Sequence, residues 1–349
     1  MLLPAQALRE LMRARRRGLR ALARFAAVLG LGLGALAAAG ATWQSFASEA
    51  DRARHPAPGQ RVSIGGRQLH LHCLGEGQPT VLLEAGMPRV SGEWARVQAA
   101  VAAFTRVCAY DRAGYGWSDP GPDVRSPSQA SEDLHALLQG AGVARAVVLV
   151  GHSWGGMLAR YHALRFPEQV AGLVLVDPLP DHYVERMSPP EREAWDATVG
   201  MLRGLALAER LGVFRLLQGP ALERSGDARR LARLPPEARE SILAAMRCTG
   251  FFRTGLLERE VGPRQMEELH QRGGLGALPL SVLVAGQDKP AWQVEQTLQL
   301  AALSSQGEAR LLQEAGHELP AEHPEAITEA IHRMVTRLRR DPLAAPIPP

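Results

Sequence analysis

The stretch Val147–Gly156, VVLVGHSWGG, constrains the fold of this chain more than any other. Four consecutive branched apolar residues predict a strand that is buried on both faces, as in a parallel sheet covered by helices. The strand runs into Ser153, and a helical pattern begins at the next residue. Side chains at Gly151 and Gly155 would collide with the strand or the helix in a turn this sharp. We therefore expect the Ser153 hydroxyl to stand free at the carboxyl end of the strand, where open α/β sheets bind ligands.

Apolar runs of this kind alternate with helical patterns along much of the chain. Gly65-Gly66 separates two short alternating runs and predicts a β-hairpin. Later strand-like runs cover residues 80–86, 106–112, 170–178, 278–288 and 309–317. Helical patterns of 10–15 residues lie between most of them. Alternation of this type predicts an α/β fold with a mainly parallel sheet and helices on both faces.

The alternation stops between Leu179 and Leu278. This stretch contains helical, arginine-rich segments and two Pro-Pro pairs, and a loop of this length is rare in a compact domain. We interpret it as a helical cap inserted over the strand ends. The predicted organisation is a basic N-terminus (1–24), an apolar segment (25–48), a linker (49–60), an α/β core (61–178 and 279–340), the cap (179–278) and a disordered tail (341–349).

The first 48 residues have the composition of a membrane segment. Residues 1–24 hold seven arginines and one acid, and the 24 residues from Phe25 to Ser48 carry no charge. As a helix the uncharged segment would extend roughly 36 Å, which is enough to cross a bilayer core of ~30 Å. The preceding arginines predict a cytoplasmic N-terminus, with the rest of the chain on the other side.

Three interpretations of this segment stay open. It could be a retained signal anchor, which the long basic region and the long apolar run favour. It could be a cleaved signal peptide, with small-residue cleavage sites at 37–39 or 39–41. The least favoured interpretation is an internal amphipathic helix, because no polar residue interrupts the run.

Charge and cysteine content argue against two other classes of protein. The formal net charge is +4, of which the first 24 residues carry +6, so residues 25–349 carry −2. A nearly neutral body does not predict a nucleic-acid partner. The cysteines Cys73, Cys108 and Cys248 do not have the spacing of metal ligands. The cysteines therefore predict no metal site.

A serine at such a turn is typical of nucleophilic catalysis, which also needs a base and an acid that orients the base. Of the histidines after Ser153, His317 alone follows a strand-like run, in LLQEAGH, and is the predicted base. His323 is the rival, although its surroundings indicate a helix start. The predicted acid is Asp288, at the end of the preceding strand, and Asp177 is the alternative. Both aspartates follow strands at the same edge of the sheet.

Acyl transfer further needs N–H groups that stabilise the tetrahedral oxyanion. The backbone N–H of Trp154, directly after the nucleophile, is one predicted donor. The second is the N–H of Met87, in the loop after the strand TVLLEAG.

These motifs resemble those of the α/β-hydrolase superfamily. The resemblance rests on Gly-His-Ser-Trp-Gly at 151–155, YDRAGYGWSD at 110–119, LVLVDP, and AGHELP with a following HPEAI, and it covers about residues 60–340. It is closest to the branch of capped esterases, peroxidase-like and aminopeptidase-like proteins. It implies an eight-stranded, mostly parallel sheet, a cap after the sixth strand, no cofactor, and an acid after the seventh strand, which supports Asp288. Where such proteins often have His-Gly in the oxyanion loop, this chain has Ala85-Gly86.

The resemblance also implies that the strands of Cys73 and Cys108 are neighbours, so a disulfide could form if the domain lies outside the cytoplasm. Superfamily members with a nucleophilic aspartate, such as epoxide hydrolases and dehalogenases, do not fit Ser153. We therefore predict a membrane-anchored or exported serine hydrolase that cleaves a carboxylic ester, or else a thioester or small amide, with a small-molecule ester as its partner. The alternatives are peroxidase-like or aminopeptidase-like chemistry, and a non-catalytic binding protein of the same fold.

Overall fold

A computed structural model of the protein describes residues 5–122, 125–224 and 226–340. The predicted disordered tail at 341–349 lies outside these residues. The strands are β1 (Gln60–Ser63), β2 (Gln68–Leu74), β3 (Val81–Glu84), β4 (Val107–Tyr110), β5 (Val147–His152), β6 (Val170–Val176), β7 (Leu280–Ala285) and β8 (Gly307–Leu312). The α-helices are α1 (Ala5–Arg54), α2 (Ala95–Val101), α3 (Pro127–Gly140), α4 (Trp154–Arg165), α5 (Pro189–Arg210), α6 (Val213–Arg224), α7 (Asp227–Ala232), α8 (Pro236–Arg247), α9 (Phe251–Gln271), α10 (Ala291–Gln299), α11 (Leu319–Glu322) and α12 (Pro324–Arg340).

The eight strands form one sheet in the order β1-β2-β4-β3-β5-β6-β7-β8. β2 pairs antiparallel with β1 and β4, and the remaining neighbours pair in parallel. The mainly parallel α/β sheet predicted from the sequence is therefore confirmed. β5, which leads to Ser153, lies at the centre of the sheet.

Both faces of the sheet are covered, which explains the continuous apolar runs. Alternate residues of β5 serve opposite faces: Val148 and Val150 pack with α2 and α12, and Leu149 packs with α3 and α4. The branched side chains at these positions suit a pleated surface that is buried on both sides. Packing on both faces of β5 holds this strand, and therefore the turn that follows it, in one position.

The segment between β6 and β7 contains the helices α5–α9. Its helix α9 contacts the loops that follow β3 and β4, so it lies at the carboxyl ends of these strands. A separate apolar cluster holds it together, with Phe214, Ile242, Phe251 and Phe252 among its buried members. Trp195 of this segment packs near Trp154 in another cluster, which joins the helical segment to the core.

The N-terminal helix α1 differs from the sequence prediction at its end. Residues 49–54, which we assigned to a linker, continue the helix as far as Arg54. They are mostly good helix formers, and Asp51 accepts a hydrogen bond of 3.0 Å from Arg54 one turn later. The helix ends before His55-Pro56, because the residue preceding a proline disfavours the α conformation.

Disulfide pairing, which the sequence left open, is present between β2 and β4. Cys73 and Cys108 lie directly opposite each other in the antiparallel pair and form a disulfide. Cys248, in the helical segment, is free and buried. The bond ties β2, a strand near one edge, to the interior of the sheet.

Candidate active site

Ser153 occupies the turn between β5 and α4, with a backbone φ of 55°. A Cβ atom at Gly151 would lie 2.4 Å from the Gly155 carbonyl oxygen, and one at Gly155 would lie 2.5 Å from the Ala85 carbonyl oxygen. Residues larger than glycine therefore do not fit on either side. The strained backbone of Ser153 is of the kind found at functional sites, and it leaves the side chain partly exposed at the start of a helix.

His317 brings its imidazole to this serine. Nε2 of His317 lies 3.0 Å from Oγ of Ser153, which is within hydrogen-bond reach of a general base. His317 follows β8, in the position where the sequence placed the base. The rival His323 lies instead beside Glu325, at 3.2 Å, and near the start of α12.

The acid beside His317 is Asp177, and the preference for Asp288 is not supported by this geometry. Oδ2 of Asp177 lies 2.5 Å from Nδ1 of His317. Asp177 is 1% exposed, and it also accepts hydrogen bonds from Lys289 Nζ and, at 3.0 Å, from the Ala285 N–H. Asp288 is exposed in the turn after β7, and among the described residues it has no hydrogen-bond or ion-pair partner.

The physical reason for this difference lies in the turn after β7. Asp288 has a φ of 57°, a left-handed conformation that aspartate tolerates in turns. The next residue, Lys289, is the one whose side chain enters the site, where its ammonium group pairs with Asp177. The turn after β7 thus contributes the cation Lys289, which pairs with Asp177, and does not contribute the acid.

The charge of Asp177 is favoured by its partners. Burial opposes ionisation, but the hydrogen bond and charge of His317 and the charge of Lys289 outweigh it and hold the pKa of Asp177 below its usual range. An ionised carboxylate at Nδ1 keeps the imidazole in the tautomer that presents an unprotonated Nε2 to the serine.

The loop after β3 lies against the nucleophile. A Cβ at Gly86 would lie 3.4 Å from the Ser153 Cβ, so this loop passes within contact distance of the serine. The Gly86 carbonyl accepts a hydrogen bond of 3.0 Å from Arg112, and the N–H of Met87 belongs to the same peptide unit. Because the C=O and N–H of a trans peptide point in opposite directions, this bond turns the Met87 N–H away from Arg112.

Arg112 fixes this loop, a role that was not predicted from the sequence. Its guanidinium donates to the Ala85 carbonyl at 2.6 Å, to Glu84 at 2.6 Å and to Glu258 of α9 at 2.8 and 3.1 Å. Arg112 is buried and bonded to two carboxylates, and both carboxylates have a tyrosine hydroxyl as a further partner. The signal in the sequence was the YDRAGYGWSD stretch, but its partner Glu258 comes from the cap and could not be inferred.

His152 and Glu318 surround His317 with further polar groups. Nε2 of His152 lies 2.8 Å from the His317 carbonyl oxygen, which ties the histidine loop to the turn of the nucleophile. Burial and the neighbouring His317 lower the pKa of His152 to about 4, so it is neutral at pH 7. Burial opposes ionisation of Glu318, but Arg89, with which it forms an ion pair of 2.7 Å, and the other nearby cations lower its pKa to about 2.

A cavity of about 350 Å³ lies between the core and the cap beside this site. Met87 and Pro88 form part of its wall, so the cavity reaches the loop after β3 that lies against Ser153. Most of the remaining wall is apolar and comes from α5, α6, α8 and α9, including Met201, Leu202, Leu205, Phe214, Leu222, Met246, Phe251 and Phe252. The wall composition suits an apolar group of a ligand.

One group of donors in the described part of the chain has the spacing of metal ligands. His182, Glu185 and Glu267 each offer a ligand atom within 4.8 Å of the others. His182 and Glu185 already share a hydrogen bond of 2.8 Å, and both glutamates are largely exposed or half-exposed. The group shares no residue with the Ser153 site.

Comparison with known proteins agrees with the fold. The family described as the alpha/beta hydrolase fold matches residues 79–224. A protein of Azorhizobium caulinodans provisionally named as a carbamate hydrolase is 39% identical over 113 residues, which are 32% of this chain and 42% of that protein. Mouse epoxide hydrolase 4 is 32% identical over 129 residues, which are 36% of each chain. The first curated relatives are thus matched over less than half of their own length.

Solved structures extend the similarity of fold beyond the matched segment. The enol-lactonase of Burkholderia xenovorans superposes with a TM-score of 0.60 at 21% identity, over 79% of this chain and 100% of that chain. At this identity the likeness concerns the fold alone.

Proposed function

Because this chain belongs to the α/β-hydrolase superfamily, we propose that it is a serine hydrolase that cleaves a carboxylic ester through an acyl-enzyme on Ser153. The observation that carries this proposal is the hydrogen-bonded series Ser153 Oγ, His317 and Asp177, with distances of 3.0 and 2.5 Å. A nucleophile, a base and an orienting acid in this order constitute the geometry of acyl transfer.

In the proposed reaction, Nε2 of His317 accepts the Ser153 proton while Oγ attacks the ester carbonyl. The N–H groups of Met87 and Trp154 stabilise the tetrahedral oxyanion, and each such donor is worth roughly 3–4 kcal/mol in other enzymes. The imidazolium, stabilised by Asp177, then protonates the leaving alcohol. Water, deprotonated by His317, attacks the acyl group and releases the acid product.

The type of nucleophile distinguishes this proposal from the reactions named for some relatives. Epoxide hydrolases of the superfamily have a nucleophilic aspartate, and this chain has Ser153 in that position. A thioester or a small amide would require the same residues in the same roles. Peroxidase-like and aminopeptidase-like chemistry are alternatives that a substrate comparison separates, and a non-catalytic protein would be expected to lack a member of the Ser153–His317–Asp177 series.

We further propose that α1 anchors the enzyme in a membrane, with the catalytic domain outside the cytoplasm. The helix contains an uncharged stretch of sufficient length, its most apolar window has a mean hydropathy of 1.8, and none of that window is buried. A core helix would be covered by other elements. The Cys73–Cys108 disulfide supports an oxidising compartment, and the arginines before the apolar stretch support a cytoplasmic N-terminus.

The catalytic proposal is tested with the Ser153→Ala variant. We expect it to lose turnover of short p-nitrophenyl esters and labelling by a fluorophosphonate probe, while its thermal unfolding stays unchanged. Undiminished labelling of the variant would reject Ser153 as nucleophile. Absence of labelling in folded wild-type protein would favour the non-catalytic alternative, and parallel assays of proline-naphthylamide hydrolysis and peroxide-dependent halogenation would identify the other chemistries.

A further inference from the structure

The final turns of α1 are fixed to the cap by close backbone contacts. A Cβ at Gly40 would lie 2.5 Å from the Leu211 carbonyl oxygen, and one at Gly212 would lie 2.7 Å from the Trp43 ring. The end of α5 and the start of α6 therefore touch α1 directly, at a point where two glycines permit close approach.

Buried polar contacts continue this attachment along α1. Arg215 of α6 donates to Gln44 at 2.7 Å and to Ser48 at 3.2 Å, and it forms an ion pair with Asp51. Gln44 also donates to the Arg247 carbonyl at 2.6 Å. Gln44 and Asp51 are 1% and 2% exposed. Breaking these contacts would leave buried polar groups without partners, so the cap and α1 are held in one orientation.

This orientation places α6 at the boundary of the membrane that α1 crosses. Trp43 lies about 27 Å along the helix axis from Phe25, where the uncharged stretch begins, and a bilayer core is ~30 Å thick. Trp43 is half-exposed, and tryptophan is enriched at membrane–water interfaces. Because Gly212 contacts the Trp43 ring, α6 starts at the same depth.

The outer face of α6 is apolar and uncovered. Val213, Leu216 and Leu217 are 41%, 71% and 52% exposed, and their spacing puts them on one side of the helix. Leu207 and Met201 of α5 add 59% and 56% exposed side chains. We call Met201, Leu207, Val213, Leu216 and Leu217 the cap patch. A patch of this kind is typical of a surface that binds a membrane or another protein.

The cap patch and the cavity at Met87 lie on opposite sides of the helices α5 and α6. Met201 belongs to both, since it is exposed and also lines the cavity. Phe214 is buried and lines the cavity, and it lies on the face of α6 opposite the exposed Leu216. The path from the outer surface to the cavity at this point is thus the thickness of one layer of side chains.

We infer that the cap patch lies in the interfacial layer of the bilayer and is the entrance for a membrane-dissolved substrate, an ester with a long acyl or alkyl chain. This inference rests on the proposed membrane anchor and on the proposed esterase site. The chain of the ester passes beside Met201 into the apolar cavity, and its carbonyl reaches Ser153 next to Met87. A membrane fits this surface better than a protein partner, because Gly212, the residue before Val213 of the patch, lies against Trp43 of the proposed membrane helix.

The position of the patch is tested without any activity measurement. Leu216→Cys is labelled with an environment-sensitive fluorophore in a Cys248→Ala background, and the full chain is reconstituted into vesicles of phosphatidylethanolamine and phosphatidylglycerol. The matched control is Leu311→Cys, a 39% exposed leucine on the edge strand β8. We expect nitroxide-bearing lipids to quench the label at 216 and not at 311. Equal quenching at both sites, or cross-linking of position 216 to a second copy, would overturn the inference.

The role as an entrance is tested with the double variant Leu216→Gln/Leu217→Gln. We expect hydrolysis of a long-chain ester dissolved in the same vesicles to fall by about tenfold, because two apolar side chains no longer enter the lipid. Hydrolysis of a short soluble ester should stay at the wild-type rate, as should both rates in Leu311→Gln. An unchanged vesicle rate would reject the entrance. Absence of soluble-ester hydrolysis in the wild type would instead reject the proposed esterase, while the quenching result would still decide the position of the patch.

Discussion

The carboxylate of Asp177 and Nδ1 of His317 lie 2.5 Å apart, across the short gap between the end of β6 and the loop after β8. This contact is the reason why we propose Asp177 as the orienting acid of the site. We predict that Asp177→Asn lowers kcat for a p-nitrophenyl ester about 10⁴-fold, because an amide favours the wrong imidazole tautomer. Steady-state kinetics on folded protein measure the effect.

The matched control is Asp288→Asn, at the exposed aspartate that the sequence favoured. We expect it to leave kcat and KM unchanged, since the Asp288 carboxylate makes no hydrogen bond or ion pair with a described residue of the site. A large decrease in kcat for Asp288→Asn, together with a small decrease for Asp177→Asn, would identify Asp288 as the orienting acid.

Arg112 positions the oxyanion loop from behind. We predict that Arg112→Met lowers kcat by about 10²–10³-fold with little change in KM, because the Met87 N–H loses its fixed direction and one oxyanion donor contributes this much elsewhere. The pH profile of kcat should keep its shape, since the base and the acid are untouched. Arg112→Lys should restore part of the rate.

Removal of Arg112 also leaves Glu84 and Glu258 buried without their cation, which should lower the free energy of unfolding by about 3–5 kcal/mol. Rates are therefore compared per folded molecule. Arg165→Met, which removes an exposed ion pair with Glu132 and a cation–π contact with Phe166, is the control for loss of an arginine. A KM increase without a kcat decrease would show that Arg112 shapes substrate binding and does not orient the loop.

The Cys73–Cys108 disulfide gives a test of compartment. We predict that protein isolated from membranes without reductant exposes one free thiol after denaturation, that of Cys248, and that the Cys73→Ala/Cys108→Ala variant loses about 2–4 kcal/mol of unfolding free energy. Thiol titration and denaturant unfolding measure the two effects. Detection of all three thiols without reductant would place the domain in the cytoplasm and contradict the proposed topology.

Much of the fold could be predicted from the sequence, because burial determines the order of apolar and polar residues within each strand. The run Val147–Val150 predicted a strand covered on both faces, and the glycines around Ser153 predicted a turn with no room for larger side chains. The strand predicted at 106–112 proved shorter, Val107–Tyr110, because Asp111 and Arg112 leave the ladder to bind other loops. A local pattern cannot show where such polar side chains go.

Site residues could be predicted where the sequence around each of them carries a recognisable signal, such as a strand end followed by glycine. Ser153 and His317 follow strands and sit beside glycines, and the structure places their side chains together. Asp177 and Asp288 follow adjacent parallel strands, so only the side-chain geometry, with Lys289 pairing to Asp177, separates them. Arg112 depends on Glu258 of the cap, a partner 146 residues away that no local pattern identifies.

The buried carboxyl of Glu209, at the end of α5, should make the stability of the cap depend on pH. Its Oε1 accepts a hydrogen bond of 2.9 Å from the Phe251 N–H at the start of α9. Burial raises the pKa of Glu209 to about 8, although the backbone N–H groups around Phe251 oppose the rise. The stabilising contribution of the protonated form is complete below the unfolded pKa near 4.5 and is lost as pH rises through about 8.

The variant Glu209→Gln keeps the hydrogen-bond acceptor and removes the charge. We therefore predict that the decrease in its free energy of unfolding between about pH 5 and pH 8 is smaller than in the wild type, by up to about 4 kcal/mol. Unfolding of wild type and variant in detergent, measured across this range, gives the difference directly. Glu240→Gln, an exposed glutamate of α8, is the control and should follow the wild-type curve. Parallel curves for Glu209→Gln and wild type would mean that Glu209 is ionised in the folded protein, held by the N–H groups at the start of α9 more strongly than burial opposes its charge.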